Sequence, residues 1–356
     1  AEFLPPLTPS IFLLASRTSI ANLVWHASNP NLTCRQKSVL FAIAPLVGAS
    51  IVFDVAIIGA GLAGLTCAQQ LHQAGYHVVV LEKSRGVGGR MATRRLHDTR
   101  ADHGVRYLEP QGTLTQQLIE ILLQRGILQR WTHTYDDLKS AKPKSVIASH
   151  SYPSQLPRYI APDGMTGVAK LLATGLEIGF KQRVQSITPN ADATWHLTFE
   201  SRDDAQTELN VRALVVAIPA PQALMLLEPI AQTILPPVFV DSLRSLEFDP
   251  CLSVIAGYPD VGNSEFSLPT WNAVTLSDDS DLAWIGLDSS KRPDSQLPIF
   301  VLQSTAEFAK RYLDAENLNP AGEQLYSSRP PQVQCSRSGG IARNSYCQSE
   351  TSLLKI

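Results

Sequence analysis

The amino-acid sequence predicts an α/β protein with two domains. Its length of 356 residues corresponds to about two domains, at roughly 150 residues for each. An apolar strand pattern, a glycine-rich turn and a helical pattern follow one another from residue 53 onwards, in the order that parallel α/β sheets require. Beyond residue 250, short apolar segments separated by polar turns indicate a second sheet, with antiparallel strands.

The composition is that of a globular protein and gives no global sign of a polyanionic partner. Hydrophobic residues make up 44% of the chain and charged residues 17%, and the formal net charge is −2. We therefore expect no nucleic-acid partner. Apolar runs of the roughly 18 residues that a membrane span needs do not occur, so we expect no span. The 5 cysteines are scattered without a CxxC pair, which argues against a disulfide scaffold or a zinc ribbon.

The two ends of the chain lack regular patterning. Residues 1–50 contain one acidic residue, Glu2, and we expect either a disordered or non-native extension or an organelle transit peptide. The first alternative leaves a cytoplasmic protein and the second a plastid protein. Residues 313–356 form an atypical tail, in which we expect Ser327–Ile356 to be disordered or poorly packed.

The first patterned segment has the order strand, turn, helix and strand. Phe53–Ile58 is an apolar strand, and the following GAGLAG fits the motif GxGxxG. A helical pattern then continues to Ala74-Gly75. His77–Leu81 is the second strand, and Glu82 stands at its carboxyl end. All four parts occur at the offsets that a dinucleotide-binding unit requires.

Each residue of this motif has a physical task. Gly59 permits the tight turn, Gly61 lets the backbone approach a pyrophosphate, and Gly64 lets the helix pack closely on the strand. The free N–H groups of the helix start attract the phosphates. The carboxylate of Glu82 can accept hydrogen bonds from ribose hydroxyls. We therefore predict a dinucleotide site here.

A basic segment follows, with the sequence KSRGVGGRMATRR. Arg94, Arg95 and Arg100 are typical of a solvated charged face. Arg90 differs because it follows Gly88-Gly89, where a phosphate oxygen can approach both the backbone and the guanidinium.

With this segment the sequence resembles a known family. The glycine fingerprint, RGVGGRMATRR and the nearby ADHGVRY are similar to FAD-dependent oxidoreductases of the flavin amine oxidase superfamily, and in particular to renalase-like proteins. PDGM at 162–165, FDPC at 248–251 and LAWI at 282–285 continue the resemblance. It implies a Rossmann-type FAD-binding domain interleaved with a smaller α+β substrate domain.

The resemblance also implies domain limits. The FAD-binding domain would comprise residues 51–110 and 160–235, and the substrate domain residues 111–159 and 236–312. The superfamily closes its FAD site with a late segment of the type GD…G…GA…SG, which residues 300–356 lack. We therefore expect weak retention of FAD.

The resemblance assigns FAD contacts to single residues. The pyrophosphate would lie on the fingerprint, the adenosine ribose on Glu82, and the ribityl region on Gly89 and Arg90. Asp102-His103-Gly104 would run beside the isoalloxazine ring, and the backbone of Val184 would meet adenine. The full set of implied FAD-binding residues is Gly59, Ala60, Gly61, Leu62, Ala63, Gly64, Glu82, Lys83, Gly89, Arg90, Asp102, His103, Gly104 and Val184. No metal ligand and no catalytic residue is identified.

For several further residues a structural role has to be weighed against a catalytic or binding role. Asp102 and His103 could form an acid/base pair, but neighbours in an extended segment point to opposite sides, which favours a flavin-positioning role for His103. Trp271 and Trp284 could line a pocket, although large aromatic side chains favour the core. The apolar positions of the predicted helix Thr113–Arg125 indicate packing.

The resemblance implies a flavin-dependent oxidase. Hydride would pass to FAD from a small molecule such as an isomeric dihydronicotinamide nucleotide, and O2 would reoxidise the flavin to give H2O2. The alternatives are an amine or polyene oxidoreductase of the same superfamily, or a truncated, inactive nucleotide-binding protein. The sequence leaves the oligomeric state open.

Overall fold

The computed structural model divides the chain into two compact units. The first unit comprises residues 1–89 and 169–247, and the second residues 90–168 and 248–356. The chain thus passes from one unit to the other after residues 89, 168 and 247, whereas the resemblance implies that it does so near residues 110, 160 and 235. The structure describes residues 53–96, 99–131, 156–201, 207–257, 265–267, 269, 271–276, 279–295, 297–328, 334–336 and 354–355. The extension predicted at residues 1–50 lies outside these ranges.

Among the described residues, the first unit contains the strands that pair in parallel. Its strands are β1 (Phe53–Ile58), β2 (Val78–Glu82), β7 (Glu177–Phe180), β8 (Gln182–Pro189), β9 (Trp195–Ser201) and β10 (Glu208–Val216). Its helices are α1 (Leu62–Gln73), α4 (Ala220–Ile234) and α5 (Pro237–Arg244), while α3 (Thr166–Leu172) spans the crossing at residue 168.

The second unit contains the remaining elements. Its strands are β3 (Thr93–Leu96), β4 (Thr99–Asp102), β5 (Gln129–Arg130), β6 (Tyr159–Ile160), β11 (Leu252–Gly257), β12 (Glu265–Ser267), β13 (Ala273–Thr275), β14 (Leu282–Leu287), β15 (Ile299–Ser304), β16 (Gln334–Ser336) and β17 (Leu354–Lys355). Its helices are α2 (Thr113–Gln124), α6 (Ala306–Lys310) and α7 (Asn319–Ser328).

The sheet of the first unit has the strand order β7-β2-β1-β10-β9-β8. Strands β7, β2, β1 and β10 run parallel, and β9 and β8 are antiparallel additions at one side. Strands β8 and β9 pair antiparallel and form a hairpin that contains Val184. Since parallel strands end at one edge of a sheet, the carboxyl ends of β1 and β2 place the GxGxxG turn and Glu82 side by side.

The five-stranded sheet of the second unit has the order β13-β14-β15-β11-β17, and all its pairs are antiparallel. This confirms the antiparallel sheet predicted from the apolar segments after residue 250. Trp284 is fully buried on β14, as expected for a core aromatic. The ring of Trp271 is only partly buried and packs against a different core cluster, which contains Phe300.

Two details of the second unit differ from the sequence predictions. On α2 the buried side chains are Ile119 and Leu122, whereas Leu114, which the apolar pattern places on the packing face, is 43% exposed. The tail is not without regular structure, since α7 buries Leu325 and β17 pairs with β11. Both differences arise from long-range packing partners, which local patterning does not contain.

None of the helices in the described ranges is long and apolar enough to cross a membrane.

Candidate functional site

The turn after β1 is tightly packed on the helix that follows it. Gly59 has a φ of +106°, and its N–H donates to the carbonyl oxygen of Leu81 at 2.9 Å. A Cβ atom at Gly64 would lie 2.0 Å from the carbonyl oxygen of Gly59. The first turn of α1 therefore rests directly on the backbone of the glycine turn, as the motif predicts.

The start of α1 presents free donors. Gly61 caps the helix with extended backbone, and the first intrahelical bond runs from Leu65 N–H to Gly61 O at 2.9 Å. The N–H groups of Ala63 and Gly64 find no backbone acceptor within the described part of the chain. A Cβ atom at Gly61 would meet nothing within 4 Å. Open space above Gly61 and unpaired amides beside it suit a phosphate group.

The carboxylate of Glu82 is fixed by the same turn. It accepts hydrogen bonds from Ala60 N–H at 2.8 Å and from Ser84 N–H at 2.8 Å, and the residue is 7% exposed. Each carboxylate oxygen keeps a second lone pair for a hydroxyl group. The N–H of Gly88 donates to Ala60 O at 2.9 Å, so the glycine-rich loop lies beside the turn.

The remaining predicted residues of the first unit occupy different surroundings. A Cβ atom at Gly89 would lie 3.5 Å from the Cα of Gly61, and Gly89 has a φ of +53°. The exposed Lys83 donates to the side-chain oxygen of Gln222 at 3.4 Å. Val184 is buried in the core on β8, opposite Phe199, and the ladder is irregular directly after it. Its role in binding adenine stays a prediction.

In the second unit, Arg90 has an exposed side chain and a tightly packed backbone. The guanidinium carbon lies 5.9 Å from the centre of the Phe248 ring. Arg90 O accepts from Val105 N–H at 3.0 Å, and a Cβ atom at Gly104 would lie 1.9 Å from that oxygen. Gly104 is therefore required by the close approach of Arg90.

Asp102 is buried and fully hydrogen-bonded. Its Oδ1 accepts from the Thr93 hydroxyl at 2.7 Å and from Met165 N–H at 2.9 Å. Its Oδ2 accepts from Lys291 at 3.3 Å and from Arg292 at 3.2 Å. Burial alone would raise the pKa of Asp102, but the two cations and these hydrogen bonds hold it below its usual value. All four lone pairs are engaged, so this carboxylate cannot act as a base.

Asp102 belongs to a buried ion cluster with Asp288, Lys291 and Arg292. Asp288 and Lys291 are fully buried, and Arg292 is 8% exposed. Lys291 Nζ lies 2.8 Å from Asp288 Oδ1, and the guanidinium of Arg292 contacts Asp288 Oδ2. The pattern analysis missed Asp288, Lys291 and Arg292. The signal that could have found them is the charged sequence DSSKR directly after the apolar strand β14.

The ring of His103 makes no hydrogen bond with this cluster in the described part of the chain. Its Nδ1 atom is buried and has no hydrogen-bond partner in the described structure. Burial lowers the pKa of His103, the nearby positive charge of Arg94 lowers it further, and Asp102 and Asp288 only partly oppose this. The ring is therefore neutral at pH 7, and it forms no acid/base pair with Asp102.

The cysteines Cys67 and Cys251 are not activated nucleophiles. Burial raises the pKa of Cys67 to about 11, and burial also raises the pKa of Cys251. Thiolate chemistry at neutral pH is therefore disfavoured at both positions.

Two family profiles match the chain. The profile of the NAD(P)-binding Rossmann-like domain matches residues 57–122, which include the glycine turn, α1 and Glu82. The profile of the flavin containing amine oxidoreductase matches residues 129–323, more than half of the chain. Together they cover both compact units.

Curated L-amino-acid oxidases are similar to this chain over a short segment. An L-amino-acid oxidase of Crotalus adamanteus is 42% identical over 66 residues, which is 18% of this chain and 13% of that protein. L-amino acid oxidase Cdc18 of Crotalus durissus cumanensis is 43% identical over 65 residues, again 18% and 13%. The matched part thus spans about an eighth of the length of these relatives.

Solved structures share the fold over most of the chain. A double mutant of putrescine oxidase has a TM-score of 0.57 at 15% identity, covering 83% of this chain and 87% of that one. An oxidoreductase from Methanosarcina mazei has a TM-score of 0.54 at 15% identity, covering 79% and 86%. At this identity the likeness establishes a common fold alone.

Proposed function

The chain belongs to the flavin containing amine oxidoreductase family, and from that premise we propose that it is a FAD-dependent oxidase. Membership of this family implies FAD as the cofactor. The more specific statement, also proposed here, is that the hydride donor is a small reduced nucleotide, such as an isomeric dihydronicotinamide nucleotide, and that O2 is the electron acceptor. The renalase-like subtype is part of this proposal.

The residues of the first unit fit an FAD nucleotide. A Cβ atom at Gly61 would meet no atom within 4 Å, and this open space, with the free N–H groups of Ala63 and Gly64, suits the pyrophosphate. Glu82 offers lone pairs to the ribose hydroxyls while the backbone holds its carboxylate. From the family resemblance, we assign contacts further along FAD to Arg90 and to the segment from Asp102 to Gly104.

The chemistry that FAD supplies when bound is two-electron transfer. A dihydropyridine gives up a hydride and leaves as the aromatic nicotinamide cation, and O2 takes both electrons, the proton of that hydride and one solvent proton to form H2O2. The protein contributes binding, orientation and exclusion of water.

One observation favours a dihydronicotinamide over an amine. Asp102 is saturated by its four donors and His103 is neutral, so this segment offers no carboxylate base for an ammonium substrate. Arg94 adds a positive charge near His103, and within the described ranges no carboxylate pairs with it. A cationic amine would be repelled there, whereas a phosphate-bearing nucleotide would be attracted.

Family membership favours the second candidate, oxidation of an amine. The two candidates are separated by anaerobic bleaching of the flavin absorbance, measured in parallel with isomeric dihydronicotinamide nucleotides and with primary amines. We expect bleaching by the nucleotide, followed by H2O2 formation when air is admitted. Bleaching by amines alone would contradict the proposed substrate, and a purified chain without flavin absorbance that also fails to take up added FAD would contradict the proposed cofactor.

The charge argument has its own matched pair of variants. Arg94 and Arg95 are exposed neighbours on β3, and strand alternation places them on opposite faces. Arg94→Gln should raise the KM for a phosphate-bearing nucleotide by about threefold, and Arg95→Gln should leave it unchanged. Equal effects of the two variants would indicate a general charge effect.

A further inference from the structure

The turn formed by residues 102–106 is held from outside by side-chain donors. Gln303 Nε2 donates to His103 O at 3.2 Å and to Gly104 O at 2.8 Å. The hydroxyl of Ser253 donates to His103 O at 2.7 Å. Gln303 and Ser253 lie on the buried strands β15 and β11. The central sheet of the second unit thereby fixes the two carbonyl groups of this turn.

Lys291 holds the two ends of the same turn. Its ammonium group donates to Arg106 O at 2.8 Å and to Asp102 Oδ2 at 3.3 Å, and it lies 2.8 Å from Asp288 Oδ1. The ammonium group thus makes two hydrogen bonds and one ion pair. A fully buried lysine is costly unless it is paired in this way, so its position is strongly determined.

The orientation of the Gln303 amide is also determined. Arg106 Nε donates to Gln303 Oε1 at 2.6 Å, which leaves the amide NH2 group to face the turn. The guanidinium carbon of Arg106 lies 4.9 Å from the centre of the fully buried Trp284 ring. Arg106 therefore has a defined place, and it sets the direction in which Gln303 donates.

A buried side-chain nitrogen of the turn has no hydrogen-bond partner among the described residues. His103 Nδ1 is buried and unpaired in the described structure, although the backbone on both sides of the ring is fixed. An unpaired buried nitrogen costs free energy, and this cost disappears if a bound molecule supplies the partner. The rigidity of the turn is thus directed at the placement of one imidazole ring.

We propose that Gln303, Ser253 and Lys291 are positioning residues that hold the His103 ring so that its Nδ1 forms a hydrogen bond with bound FAD. This inference rests on the proposed function, because it takes FAD as the ligand. It adds the residues that place the ring, which act through the backbone of the turn and not by contact with FAD.

The chain offers a closely matched control for the test. Gln69, in the first unit, is 5% exposed like Gln303, and its Nε2 also donates to two backbone carbonyl groups, those of Leu172 and Thr174, at 2.8 Å each. Gln303→Glu and Gln69→Glu therefore remove the same kind of double contact at the same burial. Any difference between the two variants reports on the turn and not on stability in general.

The experiment measures His103 and FAD separately. The ring nitrogens of His103, labelled with ¹⁵N and assigned with a His103→Gln variant, are followed by NMR as FAD is added. We expect FAD to shift the Nδ1 signal in the wild type and in Gln69→Glu, and to leave it unshifted in Gln303→Glu. The Kd of FAD, from flavin fluorescence, should rise about tenfold in Gln303→Glu and less than about twofold in Gln69→Glu.

The outcomes separate this proposal from the proposed function. A wild-type chain that binds no FAD contradicts both. A wild-type chain that binds FAD without a change at His103 Nδ1, or equal losses of FAD affinity in the two glutamine variants, contradicts the positioning role alone. If Gln303→Glu does not fold, Ser253→Ala takes its place, since it removes a single donor. Its Nδ1 signal and its Kd of FAD are then compared with those of Gln69→Glu, with the same outcomes contradicting the positioning role.

Discussion

Alanine substitutions at two glycines of the turn after β1 should affect different properties of the protein. Gly64→Ala should destabilise the protein, whereas Gly61→Ala should leave the fold intact and impair binding of FAD. The two positions lie in one motif and receive the same methyl group. The new methyl group would have different surroundings at the two positions, and these surroundings determine the expected change in stability and in FAD affinity.

At Gly64 the new Cβ atom would lie 2.0 Å from the carbonyl oxygen of Gly59. An ordinary carbon to oxygen contact is about 3.3 Å, so α1 or the turn would have to move by about 1 Å. Overpacking of this kind costs about 1–3 kcal/mol. For a domain of this size, Tm would fall by about 2–12 °C.

At Gly61 the Cβ atom would meet no atom within 4 Å, and a φ of −79° suits any L-residue. Loss of glycine flexibility in the unfolded chain stabilises by about 0.4–1 kcal/mol, so Tm should stay constant or rise slightly. The methyl group would occupy the place of the pyrophosphate beside the free amides of α1. We expect the Kd of FAD to rise at least about tenfold.

Circular dichroism melts and titration of the apoprotein with FAD, followed by flavin fluorescence, measure both quantities. Gly75→Ala is a further control for stability, because a Cβ atom there also meets nothing within 4 Å but φ is +88°. It should lower Tm without a change in FAD affinity. A Gly61→Ala variant that melts early yet binds FAD normally would refute the reasoning, as would a Gly64→Ala variant with the stability of the wild type.

Three further predictions concern ionisable groups. Glu82→Gln loses one of the two hydrogen bonds that backbone N–H groups donate to the carboxylate. The Kd of ADP, measured by calorimetry, should therefore rise about tenfold. An unchanged Kd would contradict the contact between Glu82 and the ribose. Asp102→Asn should cost about 3–5 kcal/mol in urea unfolding. Because the pKa of Asp102 is lowered in the fold, its stabilisation is present above about pH 4 and is lost as pH falls further, and the variant should lack that acid-dependent loss. Because the pKa of His103 is lowered in the fold, the free energy of unfolding should decrease as pH falls below about 6.5. His103→Gln should weaken this pH dependence. An NMR titration of His103 with a midpoint above about 6.5 would contradict the lowered pKa.

The sequence alone determined the nucleotide-binding unit. Strand, glycine turn, helix and acidic strand end lie within residues 53–82, and each part follows from a local rule about glycine conformation, helix starts or strand ends. The structure agrees with each of these elements, and it adds the bond from Ala60 N–H to Glu82, which the sequence did not predict. The antiparallel sheet after residue 250 could likewise be read from short apolar segments and turns.

The tertiary structure alone decided the surroundings of His103. The residues that fix the turn at 102–106 come from strands and turns far away in sequence, and the bond from Lys291 to Asp102 joins positions 189 residues apart. Local sequence patterns do not indicate such long-range pairs, because a charged residue after a strand gives the same pattern whether its side chain is solvated or buried. Burial of Lys291 and Asp102 in one cluster depends on the free energy of pairing two charges away from water, and only the folded chain brings them together.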